Sequence, residues 1–134
     1  MALNDAERFE ALEGILNEIQ GMSDTHVLLV EGKKDVRAIH NLGLDMDIIC
    51  VQRDGGPLRS AEMLSGVGKQ GIILTDWDDR GNRLADDLAH HLSALCVKYD
   101  LDIRDRLRNI CIKDIKDVES LDSLYRRLQN SNTV

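Results

Sequence analysis

Four short apolar runs, separated by segments with helical patterning, dominate this chain of 134 residues. The runs are HVLLV at 26–30, DIICV at 47–51, GIILT at 71–75 and NICI at 109–112. Short, continuously apolar runs are typical of strands buried on both faces, as in a parallel sheet. The segments between them are long enough for the helical crossovers that parallel strands require. The pattern therefore predicts an α/β fold.

The intervening segments carry the spacing and the end signals of helices. Residues 4–20 place apolar side chains at helical spacing, and Gly21 follows as a stop signal. Further helices are expected from Lys33 to Gly43, from Pro57 to about Leu64, over 82–98 and over 119–129. One helix followed by four β-α units predicts a single-domain, three-layer α/β/α sandwich over 1–134, with a four-stranded parallel sheet.

The N-terminal helix, within residues 1–21, is an addition to the sheet and needs a partner surface. Its apolar stripe consists of Phe9, Leu12, Ile15, Leu16 and Ile19. Such a stripe has to be covered, either by the same chain or by a second copy in a homodimer.

Amino-acid composition and net charge limit the kinds of function that this chain can have. The chain is 43% hydrophobic and 31% charged, as globular proteins are, and its formal net charge is −7. This balance argues against holding nucleic acid on a broad basic surface, but not against an enzyme that approaches phosphates through bound cations. The apolar runs are too short to cross a membrane. Three cysteines without a CxxC pair favour reduced thiols in a cytoplasmic protein.

Acidic residues follow the first and third predicted strands. In open parallel sheets, ligands bind beyond the carboxyl ends of the strands, where the strand order reverses. Glu31 and Asp35 follow the first strand, and Asp76 and Asp78 follow the third. If these strands are neighbours, as in the flavodoxin-like order, the acids face one another, and oxygen ligands of this kind suit Mg²⁺ or Mn²⁺. Alternatively, the acids cap helix N-termini, where carboxylates are favoured.

Two segments resemble the motifs of a known domain family. VEGKKDVRAI at 30–39 is similar to the first motif of the Toprim domain, and DWDDRG at 76–81 is similar to its DxDxxG motif. Toprim domains occur in topoisomerases, bacterial primases and nucleases. The resemblance covers about residues 25–115 as a Toprim core, and the chain length is similar to that of small stand-alone Toprim proteins of archaea.

The resemblance implies roles for the four acids. Glu31 matches the Toprim glutamate, which is a general acid/base in topoisomerases and a metal-linked residue in nucleases. Asp76 and Asp78 match the metal-binding pair, and Asp35 matches a second acid that helps to hold a metal. The implied cofactor is Mg²⁺ or Mn²⁺.

The same motifs suggest structural glycines and a cationic rim. Gly32 and Gly81 match glycines that allow close passage of the chain. Lys33, Arg53 and Arg80 lie near the predicted rim and are candidates for contacting phosphates. Arg80 also departs from many topoisomerase sequences, which have a third aspartate at that place.

Three functions stay open. The first is a Mg²⁺-dependent nuclease, or a related phosphoryl-transfer enzyme, acting on RNA or DNA. The second is a non-catalytic Toprim module that binds nucleic acid or a protein partner. The third, a small-molecule phosphohydrolase of the haloacid-dehalogenase type, is disfavoured because that type places its DxD motif after the first strand.

Overall fold

The computed structural model describes residues 3–132. In chain order the elements are α1 (Asp5–Gly21), β1 (His26–Val30), α2 (Lys33–Asn41), β2 (Ile48–Cys50), α3 (Pro57–Val67), β3 (Gln70–Ile73), α4 (Asp79–Ala94), β4 (Tyr99–Asp100), α5 (Asp102–Cys111), the 3-10 turn η1 (Val118–Ser120) and α6 (Leu121–Asn132).

The four strands form one parallel sheet in the order β2-β1-β3-β4. Leu29 of β1 lies opposite Ile49 of β2 on one side and Ile73 of β3 on the other. The first and third strands are therefore neighbours, which is the condition under which the acids that follow them face one another. The carboxyl ends of β1 and β3 open side by side at the same edge of the sheet.

The side chains of β1 alternate between two cores, because successive residues of a strand point to opposite faces. Leu28 and Val30 pack with α1, α2, α5 and α6. Val27 and Leu29 pack with α3 and α4. Helices on both faces give the predicted three layers, and burial of both faces explains why the run is apolar without interruption.

The apolar stripe of α1 is covered by the same chain. Leu12 and Ile19 are fully buried in the core that α1 shares with α5 and α6. At the amino end of the helix, the ring of Phe9 lies 5.2 Å from the ring of Tyr125 on α6. The helix is thus an integral part of one helical layer.

The prediction of a fourth strand at 109–112 is wrong. These residues end helix α5, and the fourth strand is the two-residue segment Tyr99–Asp100. Within α5, Ile103, Leu107 and Cys111 recur every four residues and are all buried. The apolar residues near 110 therefore belong to a helical stripe and not to a strand.

Two predicted helices are shifted in position. The helix predicted over 82–98 spans Asp79–Ala94, because Asp78 caps its first turn. The helix predicted over 119–129 begins at Leu121 after a 3-10 turn. Among the helices within residues 3–132, none has the length and apolar character needed to span a membrane.

Candidate functional site

A hollow of about 690 Å³ lies beyond the carboxyl ends of β1 and β3. Every predicted site residue except Gly81 lines it: Glu31, Gly32, Lys33, Asp35, Arg53, Asp76, Asp78 and Arg80. The structure therefore brings the two motifs together in one concave, charged site at the point where the strand order reverses.

Glu31 links the exits of the two central strands. Its side chain is buried, and its Oε1 accepts a hydrogen bond from the main-chain N–H of Asp76 at 3.3 Å. Its Oε2 lies 4.0 Å from Nε of Arg80. Burial, and next the charge of Asp76, raise the pKa of Glu31, while its hydrogen bond and Arg80 act in the opposite direction.

Asp76 is the most strongly perturbed acid of the site. Its Oδ1 accepts a hydrogen bond from the main-chain N–H of Val118 at 2.8 Å, which ties the exit of β3 to η1. Burial, followed by the charges of Asp35, Asp117 and other nearby acids, raises the pKa of Asp76 to about 6. Burial is the largest of these causes, and the neighbouring carboxylates add to it.

Asp78 and Asp35 both cap helices. Oδ1 of Asp78 accepts a hydrogen bond from the N–H of Gly81 at 2.7 Å, and Oδ2 of Asp35 accepts one from the N–H of Gly32 at 3.0 Å. Burial, and after it the charge of Glu31, raise the pKa of Asp35. The alternative capping role therefore holds for these two acids, and it uses one oxygen of each carboxylate while both residues also line the hollow.

The segment between Asp76 and Gly81 is closely packed. A Cβ atom on Gly81 would stand 1.9 Å from the carbonyl oxygen of Asp76. The buried hydroxyl of Thr75 donates a hydrogen bond to the carbonyl of Gly81 at 2.7 Å. The glycine of the second motif is thus required by a contact between main-chain atoms.

Gly32 meets a milder constraint. Its backbone is extended, with φ of −139°, and the nearest atom to an added Cβ would be the side-chain Oε1 of Gln52, at 2.9 Å. A flexible side chain can move where a backbone carbonyl cannot. At Gly32 the main chain therefore passes close to a side chain only, and not to other main-chain atoms.

The cationic side chains of the rim differ in how closely they pair with acids. Arg80 is 72% exposed at the edge of the hollow beside Glu31. Arg53 is partly engaged, because its guanidinium lies 3.2 Å from Oδ2 of Asp54. Lys33 lines the hollow at the first turn of α2. Arg80 and Lys33 are therefore better placed than Arg53 to contact an incoming anion.

Sequence reasoning missed three residues at the site. Asp117 and Glu119 also line the hollow, and Arg104 donates hydrogen bonds to the main chain around Asp76. The acid-rich segment KDIKDVES, which contains Asp117 and Glu119, was visible in the sequence. Its position next to Asp76 depends on how α5 and the turn after it pack against the sheet, which the two motifs do not encode.

The oxygen atoms of these acids are chemically suited to bind a hard divalent cation. Their present arrangement, however, does not form a coordination site. Crowded carboxylates with raised pKa values are relieved when a cation is bound between them. Within residues 3–132, however, no three His, Cys, Asp or Glu side chains are arranged to hold a metal ion together. Shared coordination by Glu31, Asp76 and Asp78 would require their side chains to turn from their present hydrogen bonds.

Comparison with known proteins places the chain in a family. No family model matches it. A UPF0292 protein of Methanosarcina acetivorans is 36% identical over 129 residues, which cover 96% of this chain and 89% of that protein. A UPF0292 protein of Pyrococcus horikoshii is 36% identical over 128 residues, covering 96% and 92% respectively. A solved structure, described as a putative protein from Aquifex aeolicus, aligns with a TM-score of 0.69 and 26% identity over 81% of this chain and 95% of that one. With this identity along nearly its whole length, the chain belongs to the UPF0292 protein family.

Proposed function

We propose that this protein is a Toprim-type enzyme that hydrolyses phosphodiester bonds of nucleic acid, or carries out a related phosphoryl transfer, with the help of Mg²⁺ or Mn²⁺. The observation that carries the proposal is the hollow beyond β1 and β3, where six carboxylates, among them the four predicted acids, lie beside lysine and arginine side chains. A site of this composition repels phosphate on its own and attracts it once cations are bound.

The four acids divide into two pairs by position. Asp76 and Asp78 follow β3, and Glu31 and Asp35 follow β1, so that members of both pairs would hold a divalent cation at the strand ends once their side chains turn towards it. When bound, a divalent cation neutralises phosphate oxygens and activates water at neutral pH. Because Asp78 and Asp35 use one oxygen each as helix caps, only their second oxygens are available for this role.

Glu31 is the candidate general base. A carboxylate held in a fixed position at the site can accept a proton from an attacking water, which is the role of a general base. Its position between the exits of the two strands holds it at the centre of the site. Lys33 and Arg80 would bind phosphate groups on either side of the scissile bond.

A non-catalytic module that binds nucleic acid or a protein is the second candidate. One observation favours it: an oxygen of each of the four acids already accepts a main-chain hydrogen bond. Such bonds would serve a site whose acids shape a surface rather than react. The same hollow would then bind a cationic or cation-bridged partner.

A cleavage assay separates the two candidates. Labelled single- and double-stranded RNA and DNA are incubated with the protein in Mg²⁺, in Mn²⁺ and in chelator, with E31Q as the inactive control. Cation-dependent cleavage that E31Q lacks supports the enzyme. Binding without cleavage, with equal affinity in the wild type and E31Q, supports the module.

We propose a cytoplasmic location for either activity, because Cys50, Cys96 and Cys111 are free thiols.

A further inference from the structure

Arg104 of α5 is a buried cation next to the acidic site. Only 6% of its surface is exposed. Its hydrogen-bond partners are uncharged oxygens, although burying a charge costs several kcal/mol unless it is well compensated. These three hydrogen bonds therefore help to compensate for the burial of the guanidinium.

The guanidinium contacts the exit of β3 and the start of α4 at once. Its Nε donates to the carbonyl of Thr75 at 2.9 Å, and its Nη2 donates to the carbonyl of Asp76 at 2.5 Å. Nη2 also donates to the side-chain Oδ1 of Asn82 at 2.7 Å. One planar group therefore connects two successive peptide units with the first turn of the helix that Asp78 caps.

These bonds determine where the acids point. The carbonyls of Thr75 and Asp76 belong to the peptide units on either side of the Asp76 Cα atom. Fixing both units fixes the direction of the Cα–Cβ bond of Asp76, and thereby the approach of its carboxylate to the N–H of Val118. The bond to Asn82 holds the first turn of α4, which carries the capped carboxylate of Asp78.

We propose that Arg104 is a positioning residue, which holds the main chain at Asp76 and the first turn of α4 in the place from which the carboxylates of Asp76 and Asp78 can turn to bind a divalent cation opposite Glu31. This inference rests on the proposed function. The positioning role requires the planar guanidinium with its divergent N–H donors, which we call the fork, and not the positive charge alone. A lysine ammonium on a flexible stem does not match the fixed geometry of these acceptors.

The first test measures Mn²⁺ affinity of the full chain by calorimetry. R104K retains the charge and removes the fork, and we expect it to bind Mn²⁺ about 10- to 100-fold more weakly, the usual effect of losing a group that orients ligands. R106K is the matched control, because Arg106 lies on the same helix but pairs with Glu18 and Asp102. We expect R106K to bind as the wild type does. Wild-type affinity in R104K would overturn the proposal.

The second test measures amide hydrogen exchange without metal. In R104K, the N–H groups of Gly81 and Val118, which donate to Asp78 and Asp76, should exchange at least about tenfold faster relative to that of Leu28 in β1. A purely structural role would instead speed the exchange of all three amides by a similar factor, and this result would overturn the proposal.

The two tests also separate this inference from the proposed function. If the wild type binds no Mn²⁺, the proposed function fails, and unchanged relative exchange in R104K would then overturn the positioning role as well. If R104K does not fold, N82A takes its place, because it removes one acceptor of the fork at an exposed residue. We expect N82A to weaken Mn²⁺ binding several-fold, and wild-type affinity in N82A would overturn the proposal.

Discussion

The carbonyl oxygen of Asp76 lies directly against the Cα atom of Gly81, so that a Cβ atom on Gly81 would stand 1.9 Å from it. Real Cβ atoms do not approach other heavy atoms this closely, and both partners here belong to the main chain. The contact brings the first turn of α4 against the exit of β3. It therefore links Asp76, one acid of the site, to α4, the helix that Asp78 caps.

The first prediction compares two glycine substitutions. Gly81→Ala should lower the free energy of unfolding by about 3 kcal/mol or more, because the backbone has to shift to admit the methyl group. Gly32→Ala should cost less than about 1.5 kcal/mol, because the side chain of Gln52 can turn away. Urea denaturation of both variants measures the difference. Equal losses would contradict the close contact at Gly81.

The second prediction concerns the activity assigned to Glu31. Glu31→Gln retains the shape of the side chain but removes its charge and its capacity to accept a proton. If the proposed nuclease activity is present, turnover should fall about a hundredfold or more. Single-turnover cleavage in Mn²⁺ measures the loss, and thermal unfolding verifies that the fold is intact. Near-wild-type turnover in E31Q would remove Glu31 from the chemistry.

The third prediction assigns phosphate binding to Arg80. Arg80→Ala should weaken nucleic-acid binding and lower the slope of log affinity against log salt by about one, since one phosphate contact is lost. Turnover at saturating substrate should change little. Arg126→Ala removes the same charge and serves as the control, because Arg126 lies on α6 and pairs with Asp122. If both variants alter the salt slope equally, the effect is one of net charge.

The fourth prediction follows from the raised pKa of Asp76. The folded protein binds this proton more tightly than the unfolded chain does, because the pKa is about 6 in the fold and about 3.9 without it. The stabilisation is complete below pH 4 and is lost as the pH rises through 6. Asp76→Asn does not titrate, so its stability relative to the wild type should increase from pH 4 to pH 7 and then level off. Urea midpoints measured in chelator test this, and a constant difference would contradict the raised pKa.

The fifth prediction is a stabilising change far from the site. Gly14 is exposed in the interior of α1, and an added Cβ would meet no atom within 4 Å. Gly14→Ala should raise the free energy of unfolding by about 0.5–1 kcal/mol, because alanine is the better helix former. Gly43→Ala is the contrasting control, since its φ of +84° disfavours a side chain and the change should destabilise. Loss of stability in both variants would contradict the open surroundings of Gly14.

The central strands were predictable because burial on both faces leaves a plain signal. The runs at 26–30 and 71–75 contain β1 and β3, and their adjacency follows from the common order of such sheets. The edge strand β4 has two residues, Tyr99 and Asp100, and so leaves no apolar run. The apolar residues at 109–112 resemble a short strand when they are considered alone. Together with Ile103 and Leu107 they show helical spacing.

The acids of the site were predictable from their place after the strands, but their surroundings were not. Asp76 and Glu31 come together because β1 and β3 pair, which the strand order implies. Arg104 and Asp117 reach the site through α5 and the turn after it, both distant in sequence from the two motifs. Their positions depend on how the C-terminal helices pack, which short motifs do not encode.

The order of the strands also bears on how the fold limits pairing of its strands with those of another chain. Both edges of the sheet are formed by its shortest strands, β2 with three residues and β4 with two. An edge strand presents main-chain N–H and C=O groups that can pair with another chain, and short edges present few of them in register. The run HVLLV in β1, apolar and rich in β-branched residues, is paired on both sides. Intermolecular strand pairing through this run therefore requires the removal of β2 or β3 first, so that the sheet protects this apolar segment for as long as it stays folded.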